Sequence, residues 1–173
     1  MFSGAARPAE YRGGMTDQPF VDAAHPPDTL LRVVNPTLRA ALRTPLGRFL
    51  GDFMLVGFTG RKSGKQYSTP VSAHRLEGEL YVVLEAPWKH NFAGGADAQV
   101  SHLGSTRTMR GELITDRAAV AHICERVATS YGPKKGQRQL GLRFRDGRLP
   151  TLPEWEDAVD RLGIAAIKLT AST

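Results

Sequence analysis

The feature that most constrains this chain is the string Thr59-Gly60-Arg61-Lys62-Ser63-Gly64-Lys65, set between two stretches that read as β-strands. Before it, Phe53 to Thr59 is a short apolar run; after it, Gln66 to Arg75 is β-branched and polar. Such a string is the turn of a hairpin. Its two glycines permit a tight bend whose amides face outward, Ser63 adds a hydroxyl, and Arg61, Lys62 and Lys65 surround the bend with positive charge. That is a compact cradle for an anion, with phosphate its natural guest. A Walker A loop is excluded, because Thr59 stands where its first glycine belongs, Gln66 stands where Ser or Thr would hold magnesium, and no helix pattern follows. The alternative role is a basic turn that keeps an edge strand soluble.

Strand signals continue beyond the turn. Glu77-Gly78 reads as a second turn and Leu80 to Leu84 as a buried strand; after the Gly-rich stretch Asn91 to Ala98 come Gln99 to Leu103 and Thr108 to Ile114, joined around Gly104-Ser105. Asp116 opens a helix with Val120, Ile123, Val127 and Tyr131 along one face, stopped by Gly132-Pro133. Leu152 to Arg161 reads as a short acidic helix and Ile164 to Leu169 as a last strand. About six mostly antiparallel strands, N-terminal helices and a helix inserted before the final strand predict a mainly β, α+β domain built on a small closed or half-closed barrel.

The N-terminal part reads differently. Residues 1–27 are rich in Ala, Pro and Gly without apolar period and are expected to form a disordered leader, with Met15 an alternative start, so that 28–173 forms a single domain. From Thr29, Leu30, Leu31, Val34, Leu38, Leu42, Leu46 and Leu50 fall at helical spacings, broken at Pro36 and Pro45 and fringed by Arg32, Arg39, Arg43 and Arg48. This stripe suits packing on the body of the protein or peripheral contact with an anionic bilayer. No run approaches the ~20 apolar residues of a spanning helix, and the single cysteine, Cys124, suits a reducing compartment; a cytoplasmic location is expected. Cys124 lies on the buried side of its helix and reads as a core thiol.

Two further segments bear on a site. Thr69-Pro70-Val71 interrupts a strand: proline has no amide hydrogen, so pairing is expected to stop or bulge there and free neighbouring amides for a flat heterocycle. Pro87-Trp88 forms a rigid apolar wall at a strand exit, and Asn91 is placed to offer an amide beside it. The alternative for Trp88 is a plug for the barrel end.

Taken together, VNPTLRAALRTPLGRFL and FMLVGFTGRKSGKQYSTPVSAHRLEGELYVVLEAPWKHNFAGGADAQV resemble the deazaflavin-dependent nitroreductase and quinone reductase family of actinobacteria. The resemblance spans about Asn35 to Ile114. It implies a split β-barrel of the flavin-reductase type, binding of the deazaflavin coenzyme F(420), and hydride transfer from its reduced form to a quinone, nitroaromatic or similar electron-poor acceptor. On that resemblance Arg61, Lys62, Ser63, Gly64 and Lys65 hold the coenzyme's phosphate and acidic tail, Thr69, Pro70 and Val71 lie along its ring, and Trp88 and Asn91 stand by the pocket. Tyr131 falls where family members use tyrosines around the substrate. Only Glu85, Ala86 and Pro87 separate the central strand from Trp88, where better characterised members carry a longer loop. Short-loop relatives bring in the alternatives of FMN, another ligand, or a cofactor-free barrel holding a lipid-like or polyprenyl-like molecule.

The remaining chemistry fits that division of labour, since a hydride donor needs the protein chiefly for placement, exclusion of water and a proton. No catalytic triad, paired catalytic carboxylates or metal set is apparent. His25, His74, His90, His102 and His122 lack ligand spacing; His90, beside Asn91, is the candidate proton donor. The formal net charge is +6, with a second basic cluster from Lys134 to Arg148. Phe144 is the sole aromatic interleaved with it, which argues against nucleic acid as the partner.

Overall fold

In the computed structural model, which describes residues 18–24 and 36–172, the pattern of the sequence becomes a curled antiparallel sheet with helices packed on one side. The elements are β1 (Val21–Ala23), α1 (36–42), a 3-10 turn Pro45–Phe49, β2 (Phe53–Thr59), β3 (Gln66–Ser72), β4 (His74–Leu76), β5 (Glu79–Leu84), a 3-10 turn Pro87–Phe92, β6 (Ala96–His102), β7 (Ser105–Ile114), α2 (Arg117–Leu140), β8 (Leu142–Phe144), α3 (Leu152–Leu162) and β9 (Ala165–Ala171). The main sheet has seven strands in the order β3-β2-β6-β7-β9-β5-β4. Its two edge strands are one length of chain, bent at Ala73, so the sheet curls back towards itself as a half-barrel consistent with the split-barrel fold.

Alternation along the strands divides the apolar residues between two cores. Met54, Val56 and Phe58 of β2, Leu80 and Val82 of β5, Ala98 and Val100 of β6, and Ile167 and Leu169 of β9 fill the barrel with Phe92. Tyr81 and Val83, the intervening residues of β5, face the other way and pack against the helices, where Val120, Cys124 and Val127 of α2 meet Trp155, Ala158 and Val159 of α3. Each fully buried large side chain of this kind contributes roughly 1.5–3 kcal/mol over its exposed state. Burial pushes the Cys124 thiol up to about 12, so it is a core residue and not a nucleophile.

Several sequence expectations need correction. Part of the segment expected as leader forms structure: Val21–Ala23 pairs with β8, and Val21 is buried against the helical core. Arg148 lies over the Phe20 ring and is fixed in turn by Glu154, which explains the ordering. The rest of that leader, with Met15 and His25, lies outside the described residues, as does the start of the apolar stripe at 29–35. Within the stripe Leu42 is buried, but Leu46 is 63% exposed.

Strand pairing does not stop at Pro70, which stays in register opposite Leu55 within an unbroken β3. β3 is an edge strand, so its missing amide hydrogen costs no ladder bond. Gly132-Pro133 breaks α2 without ending it; the chain resumes as helix from Pro133, tolerated at a first helical position, to Leu140. The basic cluster therefore lies on a helix, on β8 and, for Arg145 and Arg148, in the turn that follows, and Phe144 is buried with its ring edge-on to Trp155 at 5.5 Å. It is not available to stack on a base.

Candidate functional site

The site is built where β2 and β5 leave the barrel. The basic turn closes through two backbone bonds: Gly60 N–H donates to the Lys65 carbonyl and Gly64 N–H to the Gly60 carbonyl, both at 2.8 Å. Gly64 sits at φ +65°, where a side chain would be strained. Gly60 is needed for a different reason. A Cβ there would stand 2.5 Å from Ser63 Oγ and 2.7 Å from the Tyr67 ring.

Across from the turn, the 3-10 turn Pro87–Phe92 carries Trp88, His90 and Asn91. Asn91 ties the two together: its Oδ1 accepts from the Arg61 amide and its Nδ2 donates to the Trp88 carbonyl, both at 2.8 Å. Both ends of the amide are thus engaged by backbone. Asn91 shapes the wall of the hollow that it lines, with one N–H of its Nδ2 outside these two bonds. The Arg61 guanidinium reaches back to the Ala93 carbonyl at 3.3 Å.

Between these two turns lies a hollow of about 450 Å³ lined by Phe58, Gly60, Arg61, Lys62, Ser63, Tyr67, Pro87, Trp88, His90 and Asn91. One side is aromatic. Phe58 stacks on Trp88 with centroids 5.3 Å apart and on Tyr67 at 5.7 Å, so that three rings form a continuous wall. The other side is cationic, and no carboxylate lines it. Among the described residues, no protein group accepts from the backbone amides of Lys62 and Ser63 or pairs with the Lys62 ammonium. An anion beside this turn would meet free N–H donors and positive charge.

The structure brings together Arg61, Lys62, Ser63, Trp88, His90 and Asn91, and leaves other candidates aside. Lys65 and Gly64 complete the turn without lining the hollow; the Lys65 amide donates to Ser63 Oγ at 3.3 Å. Thr69 and Pro70 lie farther along β3, and Val71 packs against the same barrel core as Trp88 without reaching the hollow. Tyr131 is elsewhere: its hydroxyl donates to the Ala73 carbonyl at 3.2 Å, its ring meets His74 edge-on, and Lys135 Nζ lies over it. Burial, reinforced by Asp52 and opposed by Lys135, raises the Tyr131 hydroxyl above its ordinary pKa. Its role is in joining α2 to the bend of the barrel. Glu85 does not line the hollow, and Lys89 turns away from it to donate to the Gly163 carbonyl at the end of α3 and to the Glu85 carbonyl.

Sequence reasoning missed Phe58 and Tyr67. The signal was present in the hairpin itself, because a turn closed between Thr59 and Gln66 places Phe58 directly opposite Tyr67.

No protein-family model and no curated protein matches the sequence. Two solved structures show a partial similarity. One, of an FAD and heme binding protein from Mycobacterium smegmatis, is 18% identical with a TM-score of 0.43, over 78% of this chain and 66% of that one, a little under two thirds of its length. The other, of a conserved hypothetical protein from Mycobacterium tuberculosis, is 12% identical with a TM-score of 0.42, over 88% of this chain and 84% of that one. Among the described residues no helix is long and apolar enough to cross a membrane, and no cluster of His, Cys, Asp and Glu could hold a metal ion.

Proposed function

We propose that this chain is a reductase that binds a flavin-type redox coenzyme, specifically the deazaflavin coenzyme F(420), and passes hydride to a quinone, nitroaromatic or similar electron-poor acceptor. The observation that carries the reading is the meeting of a carboxylate-free cationic turn with an aromatic wall in one hollow. A flat redox coenzyme with an acidic tail has those same two ends.

The residues present fit such a group. Lys62, the Ser63 hydroxyl and the amides of Lys62 and Ser63 would hold its anionic part, while the Arg61 backbone is held in place by Asn91. The wall of Tyr67, Phe58 and Trp88 would orient the flat part and exclude water from one face. When bound, the reduced coenzyme supplies a hydride; the protein must supply placement and a proton. His90, exposed at the lip of the hollow, is the side chain placed to give a proton to an acceptor oxygen. The acceptor is a small hydrophobic molecule. The reading also includes peripheral contact with an anionic membrane surface, supported by Leu46 and Phe49, which are 63% and 73% exposed beside Arg48.

Titration of the purified protein with oxidised F(420), followed by coenzyme fluorescence, tests the reading. Saturable micromolar binding weakened about tenfold in Lys62→Ala or Arg61→Ala, and less in Lys65→Ala, is the expected result. Saturable binding of FMN with the same variant pattern, and none of F(420), reassigns the coenzyme. Failure of both overturns the proposal in favour of a cofactor-free barrel.

A further inference from the structure

The opposite end of the barrel holds a second hollow, of about 640 Å³, between the β4–β5 turn, the β6–β7 turn and the end of β9. Its residues include Arg75 and Arg107 together with Leu80, Val100, Met109 and Leu169. The last four belong to, or pack against, the barrel core. Strand register places the two arginines on that same inward face: Arg75 stands opposite Leu80, and Arg107 opposite Val100. Two guanidinium groups thus occupy positions where the barrel's own pattern calls for apolar residues.

Neither has a visible structural duty. Among the described residues, no carboxylate pairs with Arg75 or Arg107 and no carbonyl accepts from their side chains, whereas Arg110, Arg117, Arg126, Arg148 and Arg161 are all engaged in ion pairs. Glu79 is the carboxylate that lines this hollow, and its charge is met by Lys168 Nζ at 2.6 Å. An inward-pointing charge can protect an edge strand, which would suffice for Arg75 on β4. Arg107 differs in lying on β7, an inner strand of the sheet, at a position paired with β6 and just ahead of the start of the β9 pairing at Met109.

From this arrangement we infer a second binding site, for an amphiphilic carboxylate of the medium-chain fatty acid class. Arg75 and Arg107 supply planar donor forks matched to a carboxylate head. Met109, Leu80 and the half-exposed Leu103 supply an apolar bed for the chain. The volume falls within the range of small-molecule sites. The site is distinct in residues from the hollow at the other end, with which it shares no lining side chain.

Displacement of a dansylated undecanoate probe from the full chain tests this, with laurate below its micellar concentration as competitor and dodecanol as the uncharged control. Laurate is expected to compete at least about tenfold better than dodecanol, and Arg75→Gln with Arg107→Gln is expected to remove that preference. Both arginines are exposed, so the double variant is expected to fold, which its unchanged thermal transition checks. The control Lys62→Ala should leave laurate binding intact. Equal competition by dodecanol, retention of the laurate preference in the double arginine variant, or its loss in Lys62→Ala would each overturn the assignment.

Discussion

The backbone amide of Arg61 donates to Oδ1 of Asn91 at 2.8 Å, joining the basic turn to the aromatic-bearing turn across thirty positions of chain. The bond makes the gap between the two turns a fixed quantity. Without it, the Arg61 guanidinium on the Ala93 carbonyl and the stacking of Phe58 on Trp88 would be left to hold the two turns together.

Asn91→Ala is therefore expected to weaken coenzyme binding about tenfold and to cost roughly 1 kcal/mol of stability, since two backbone groups lose a partner. Asn91→Asp keeps the acceptor for Arg61 but loses the donor to Trp88 and adds negative charge to the hollow. Its binding loss should exceed its stability loss. Fluorescence titration beside thermal unfolding separates the two, and equal effects of both variants on both measurements would show that Asn91 acts only in folding.

Gly111 tests the support beneath the site. A Cβ there would lie 2.5 Å from Cδ1 of Phe92, the fully buried ring that ends the turn carrying Trp88, His90 and Asn91. Overfilling a packed core costs about 1–3 kcal/mol. Gly111→Ala should lower the unfolding midpoint, and by shifting Phe92 it should also weaken coenzyme binding. A variant as stable as the parent would mean that Phe92 has room to move.

His74 predicts an acid limb. Its ring is 1% exposed, its Nδ1 has no partner, and burial lowers its pKa from 6.5 to about 4 against an opposing effect of Asp52. The folded chain thus resists protonation that the unfolded chain accepts, so stability falls as pH drops from about 6.5 towards 4, by up to roughly 3 kcal/mol. Glu154 adds a second loss at lower pH: its hydrogen bonds from Arg148 hold its carboxyl down at about 2, so that contribution fades below 4.5. Urea unfolding of His74→Leu from pH 7 to pH 4 should show a flatter profile than the parent. Parallel profiles would place the acid sensitivity elsewhere.

Phe49 and Leu46 give a prediction about surfaces. Sedimentation with vesicles containing anionic lipid should carry the protein down at low salt, and Phe49→Ser with Leu46→Ser should reduce that severalfold. Equal recovery with neutral vesicles would remove the electrostatic part of the reading.

Much of this was legible in the sequence because the information was local. Phe53–Thr59 appears as read, and the Glu77-Gly78 turn and the start of α2 at Asp116 follow from short-range patterns. What stayed hidden depended on long-range partners. Val21 is ordered by β8 and by Arg148 on Phe20, contacts that no local pattern announces. Tyr131 shares a helical stripe with Val127, but the stripe faces the bend at Ala73 and not the hollow. Asn91 was legible as a polar residue of the site while its two backbone partners were not, since residue type shows that an amide can bond and not which groups it will meet.

The bend at Ala73 has a consequence for association. One stretch of chain serves both margins of the sheet, and on the β3 margin Pro70 withholds a donor from any peptide that would extend the ladder there. Copies of this molecule are thereby steered away from joining by strand addition along β3.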